Sequence, residues 1–79
     1  MYYVYIIQSE LDSNRYYTGF IKNVERRIAD HNSGKNKSTT SHRPWRLKSY
    51  VAFTNKERAY AFEKYLKTGS GRALATKHL

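Results

Sequence analysis

Two runs, YYVYIIQS over residues 2–9 and RYYTGF over residues 15–20, flank the turn-forming segment ELDSN. This spacing constrains the chain more than any other feature. Both runs are aromatic and β-branched, so they predict two strands of a β-hairpin. Side chains alternate across a strand, and a connecting loop with an odd number of residues keeps Tyr5 and Tyr17 on one face. With residues 10–14 as the loop, Tyr17 would stand opposite Ile7 and Tyr5 would be its diagonal neighbour. An even loop would put the two phenols on opposite faces. The hairpin holds five of the chain's eight tyrosines. On propensity alone Tyr3, Tyr5, Tyr16 and Tyr17 all read as ordinary strand residues, the reading that Tyr3 and Tyr16 keep. Gly19 either lets backbone or ligand approach closely or marks a bulge.

After the hairpin, NVERRIADHN predicts a helix, with Asn23 as its N-cap, Glu25 in the first turn and Gly34 beyond the end. Val24, Ile28 and either Ala29 or His31 would face the sheet. Residues 33–44, SGKNKSTTSHRP, contain no aliphatic or aromatic residue and read as a long loop. WRLKSYVAF then predicts a third strand, with Trp45, Leu47, Ser49, Val51 and Phe53 in alternation and Trp45 in the core. Thr54 and Glu57 form a capping box that opens a helix running to about Thr68, with Ala59, Phe62 and Leu66 as its apolar stripe. Gly69 and Gly71 break the chain before a short terminal helix. The order ββαβαα implies an α+β fold, a small three-stranded, largely antiparallel sheet with flanking helices, in one domain over residues 1–79.

The chain has 79 residues, close to the size at which one hydrophobic core is marginal. It contains no cysteine, which excludes disulfides and thiolate zinc sites. No apolar run is long enough to span a bilayer and no signal-peptide core is present, so no membrane partner and a cytoplasmic setting are expected. Fifteen Lys and Arg against six Asp and Glu give a formal charge of +9. A surplus of that size attracts polyanions, and DNA or another nucleic acid is the expected partner.

YVY over residues 3–5, YTG over residues 17–19, Arg27 ten residues after Tyr17, His31 one turn later and Glu63 on the later helix together resemble the GIY-YIG nucleases. Tyr3 stands in place of the motif's first glycine, and Val4 and Thr18 in place of its isoleucines. Phe20 occupies a position where related nucleases often carry a polar residue. The resemblance covers nearly the whole chain. It is strongest to short stand-alone bacterial members and more distant from the incision domain of the excision-repair nuclease. It implies a metal-dependent endonuclease acting on DNA, including structured or damaged DNA, with Tyr5, Tyr17, Arg27, His31 and Glu63 as catalytic residues. One Mg²⁺ or Mn²⁺ is expected on Glu63, because such an ion keeps most of its waters and borrows substrate oxygens. Arg27 would bind the phosphate with a fixed, permanently charged fork.

The resemblance also implies Tyr17 as general base, with Tyr5 hydrogen-bonded nearby. An ordinary phenol is ionised in only about one molecule in a thousand at pH 7. Poising it would take a shift of about 3 units, or roughly 4 kcal/mol, and nearby positive charge acts in that direction. Glu63 has a competing local role as an i,i+4 partner of Lys67. Lys22, Arg26, Lys35, Lys37, His42 and Arg43 are candidate contacts to nucleic acid. A non-catalytic nucleic-acid-binding module with the same fold remains the alternative. A protein partner for targeting and either a monomer or a homodimer are compatible with the sequence.

Overall fold

The structure is a computed structural model that describes residues 1–22, 24–34 and 37–79. Asn23, Lys35 and the side chains of Val24, Glu25 and Lys37, for which roles were expected, lie outside the described residues. The elements are β1 (Tyr2–Ser9), β2 (Tyr16–Ile21), α1 (Val24–Ser33), α2 (Lys37–Thr40), β3 (Trp45–Phe53), α3 (Lys56–Leu66) and α4 (Gly69–His78). They form an α+β fold in the expected order, with α2 as an additional single turn inside the segment expected to be loop. The sheet is antiparallel throughout, with strand order β2-β1-β3. No described helix is long and apolar enough to cross a membrane.

Central strand β1 is covered on both faces, which explains why its apolar residues run continuously instead of alternating with polar ones. Val4 and Ile6 point to one face and pack with Ala59 and Leu66, joined by Phe53, Phe62 and Leu74 from the surrounding elements. Tyr5 and Ile7 point to the other face and pack with Trp45, Tyr17 and Ile28. The sheet therefore lies between α3 and α4 on one side and α1 on the other. Of the α1 residues expected to face the sheet, Ile28 and the fully buried His31 do so, whereas Ala29 is exposed.

Strand β3 departs from simple alternation. Ile6 pairs with Ser49 but Ile7 pairs with Leu47, so Lys48 is an extra residue, a β-bulge. The bulge flips the side chains beyond it. Phe53 packs on the α3 face, while Trp45 joins the Tyr5 side. The five alternating residues thus do not share one face, although Trp45 is buried as expected.

Two helix starts also differ from expectation. The cap of α3 is Asn55, whose side chain accepts a hydrogen bond from the Arg58 amide at 3.0 Å, and not Thr54. Adjacent capping residues compete for the same orphan amides, and one residue of shift selects the other. Helix α4 begins at Gly69 and contains both glycines instead of following them, with Thr68 as N-cap accepting from the Gly71 amide. A Cβ on Gly71 would collide with the Tyr65 carbonyl and lie 2.6 Å from Leu66 Cα. Glycine there allows α4 to start directly against the end of α3.

Candidate active site

Hairpin register brings the two phenols together. Ile7 pairs with Tyr17 and Tyr5 with Gly19, so Tyr5 and Tyr17 are diagonal neighbours on one face with ring centroids 6.5 Å apart. Gly19 is the position of close approach. A Cβ there would overlap the Tyr5 hydroxyl and lie 2.7 Å from its Cε1. The β1–β2 register continues through Gly19 without a bulge.

Helix α1 delivers Arg27 and His31 one turn apart to the same phenol. Arg27 Nε donates to the Tyr5 hydroxyl at 3.3 Å, and His31 Nε2 shares a hydrogen bond with that hydroxyl at 3.1 Å. His31 Nδ1 in turn lies 2.8 Å from Thr39 Oγ1. The imidazole also sits 4.7 Å from the Tyr17 ring, centroid to centroid. Thr39 is buried on α2, and its carbonyl accepts from Trp45 Nε1 at 2.8 Å. The line Arg27–Tyr5–His31–Thr39 thus runs through the covered interior between α1 and the sheet.

These partners set the charge states. Burial pushes the Tyr5 phenol up from its ordinary value, and the Arg27 hydrogen bond offsets only part of that rise. Tyr5 therefore remains a neutral hydroxyl at pH 7, suited to hydrogen bonding and not to abstracting protons. Arg27 is pushed up, first by its hydrogen bond to Tyr5, and stays charged. Burial, with Arg27 adding to it, pushes His31 down from its ordinary value.

A depressed histidine binds fewer protons folded than unfolded, so its contribution to stability falls as pH drops below the unfolded value of about 6.5. Melting temperature is expected to be level in this respect above about pH 7 and to decline below it. Replacing His31 with Gln should remove that component of the slope, as thermal unfolding across pH would show.

Tyr5, Tyr17, Gly19, Phe20, Ile21, Arg27, Tyr60 and Glu63 line a cavity of about 240 Å³ beside edge strand β2. Glu63 enters from α3, on the opposite side of the sheet from α1, and the cavity wraps around the edge between them. Among the described residues it is the one carboxylate in the lining. Its Oε2 accepts from Lys67 Nζ at 3.0 Å, so the helical ion pair and the cavity position coexist. No group of three or more His, Asp or Glu that could hold a metal exists among the described residues. One carboxylate, with water and phosphate oxygens as the remaining ligands, fits a hard ion such as Mg²⁺ and does not fit a protein-caged one.

The sequence profile described as the GIY-YIG catalytic domain matches residues 1–77. The chain belongs to the GIY-YIG family. A UPF0213 protein of Staphylococcus haemolyticus is 43% identical over 70 residues, covering 87% of this chain and 83% of that one. A second, from Halalkalibacterium halodurans, is 42% identical over 72 residues, covering 90% of this chain and 74% of its own. The solution NMR structure of this second relative, there under the organism name Bacillus halodurans, aligns with a TM-score of 0.58 at 36% identity, covering 98% of this chain and 84% of that chain. The family is one of nucleases, and the UPF0213 designation names no activity.

Within this GIY-YIG domain, four of the five expected catalytic residues line the cavity, and His31 lies behind it on Tyr5. The expected nucleic-acid contacts are more scattered. Lys22 and Arg26 are exposed, with the Lys22 ammonium 5.3 Å from the Tyr2 ring centroid. Arg43 is exposed beside Gly34, whose φ of +84° favours glycine. His42 is half-buried and its carbonyl accepts from Ser9 Oγ, which gives it a structural role. The sequence reading missed Thr39 and Tyr60. Thr39 sits in a polar run with no periodicity to mark it, whereas Tyr60 is three residues before Glu63 and so on the same helix face.

Proposed function

We propose that this protein is a divalent-metal-dependent endonuclease that hydrolyses phosphodiester bonds in DNA at the cavity beside β2. The supporting observation is the convergence of two phenols, one permanent cation and one carboxylate in a single cavity drawn from β1, β2, α1 and α3. Phosphodiester hydrolysis needs a bound phosphate, an activated water and stabilised charge on the leaving oxygen. Arg27 binds the phosphate through the donors that Tyr5 does not hold. Tyr17, acting as its phenolate, takes the proton from the attacking water and becomes a neutral phenol. Tyr5, neutral and held by Arg27 and His31, fixes the guanidinium against the hairpin. Glu63 would hold one Mg²⁺ or Mn²⁺, and the bound ion would supply Lewis-acid stabilisation of charge on the phosphoryl and leaving oxygens. The surplus of positive charge gathers the polyanion.

Branched, nicked and linear DNA incubated with Mg²⁺ or Mn²⁺ should be cut, and chelator should stop the reaction. Tyr17→Phe removes only the hydroxyl and should slow cleavage about 10²- to 10⁴-fold, the usual worth of a general base. Unchanged cleavage by Tyr17→Phe would move the base elsewhere. Salt-sensitive binding without cleavage by the native chain would leave a nucleic-acid-binding module in place of an enzyme.

A further inference from the structure

Phe20 and Tyr60 are the aromatic side chains of the cavity lining that have no part in the chemistry described above. Tyr60 is 50% exposed, so half of its surface is available to a ligand. Its ring meets Phe20 edge-on with centroids 6.2 Å apart, and Phe20 stacks on Tyr2 at 6.1 Å and 9°. An aromatic ledge therefore leads out of the cavity. Two cations flank it, Lys64 Nζ at 4.4 Å from the Tyr60 centroid and Lys22 Nζ at 5.3 Å from that of Tyr2. Aromatic rings interleaved with lysines suit a strand whose bases stack while its phosphates meet the ammonium groups.

Tyr60 and Glu63 are three residues apart on α3, with Cβ atoms about 5–6 Å apart. That separation is comparable to the span from a nucleobase to its own phosphate. A base on Tyr60 would thus leave its phosphodiester near Arg27 and Glu63. Lys64 lies over the ring on a flexible stem, and a base that takes this face displaces the ammonium towards phosphate. Bases within a continuous duplex cannot reach the ring, because both of their faces are already stacked.

We propose that Tyr60 stacks an unpaired nucleobase beside the scissile phosphate, so that the substrate is DNA with unpaired nucleotides in preference to continuous duplex. The proposal rests on the nuclease reading for its scissile phosphate, and a binding measurement in EDTA tests it apart from cleavage. The probes are a labelled thymidine oligonucleotide and a blunt duplex with the same number of nucleotides. Tyr60→Ala should weaken binding of the single strand about tenfold and that of the duplex less than about twofold. Tyr60→Trp should bind the single strand at least as well as the native chain.

Tyr60→Leu keeps apolar contact with Phe20 but lacks a π-face, and it should reproduce the loss should Tyr60→Ala fold poorly. Equal losses on both probes, or no loss on either, would overturn the proposal. Failure of the native chain to cut any DNA with Mg²⁺ would overturn the nuclease reading, while a Tyr60-dependent preference for the single strand would still support base stacking.

Discussion

Glu63→Gln is expected to lower Mg²⁺-dependent cleavage about 10²- to 10³-fold, the range seen when one electrostatic group is removed from a transition state. The amide keeps the size and helix propensity of the carboxylate but carries no charge for a divalent ion. No other carboxylate among the described residues lines the cavity, so no neighbour can take over. The substitution also ends the ion pair with Lys67, whose side chain is 53% exposed. Pairs of this i,i+4 type are worth about 0.3–0.5 kcal/mol, which corresponds to a fall of about 1–4 °C in Tm for a chain of this size. A large kinetic loss with a small thermal one therefore separates a metal-binding role from a structural one. Cleavage within about threefold of the native rate would remove Glu63 from the site.

The site is assembled from features of unequal visibility in the sequence. The loop over residues 10–14 sets the hairpin register, and with it the shared face of Tyr5 and Tyr17, because parity alone decides that question. Glu63 and the apolar stripe of α3 follow from helical spacing. The bulge at Lys48 was not visible, since an alternating pattern carries no mark of where one residue is skipped. Helix α2 was not visible either. Lys37–Thr40 has no apolar period, and Thr39 is tied in by tertiary contacts to His31 and Trp45. Gly69 and Gly71 have low helix propensity and read as breakers, yet packing against α3 overrides propensity by requiring a residue without Cβ at position 71. Parity and periodicity are local properties. The support behind Tyr5 comes from a segment more than 30 residues away, which local pattern does not encode.

Gly19→Ala should damage both stability and catalysis, and the balance of terms gives the sign. Replacing glycine within a regular element gains about 0.5–1 kcal/mol from backbone entropy. Against this, the new methyl would overlap the hydroxyl and Cζ of Tyr5 and lie 2.7 Å from Cε1. The ring cannot simply swing away, because Tyr5 is 1% exposed and its hydroxyl is shared by Arg27 and His31. Overpacking costs about 1–3 kcal/mol, and leaving His31 Nε2 without its partner about 1–3 more. A net loss of about 3 kcal/mol is expected, or roughly 12–24 °C in Tm. A ring displaced by about 1 Å would carry Arg27 with it and reduce cleavage about a hundredfold.

The double variant Gly19→Ala/Tyr5→Leu separates the two effects. Removing the ring relieves the overlap, so the double variant should be more stable than the sum of the single changes implies. Its cleavage should remain low, since Arg27 then lacks the phenol that holds it. Native stability and native cleavage in Gly19→Ala would show that the ring has space to move, and the close approach of strand β2 to Tyr5 would no longer account for the glycine.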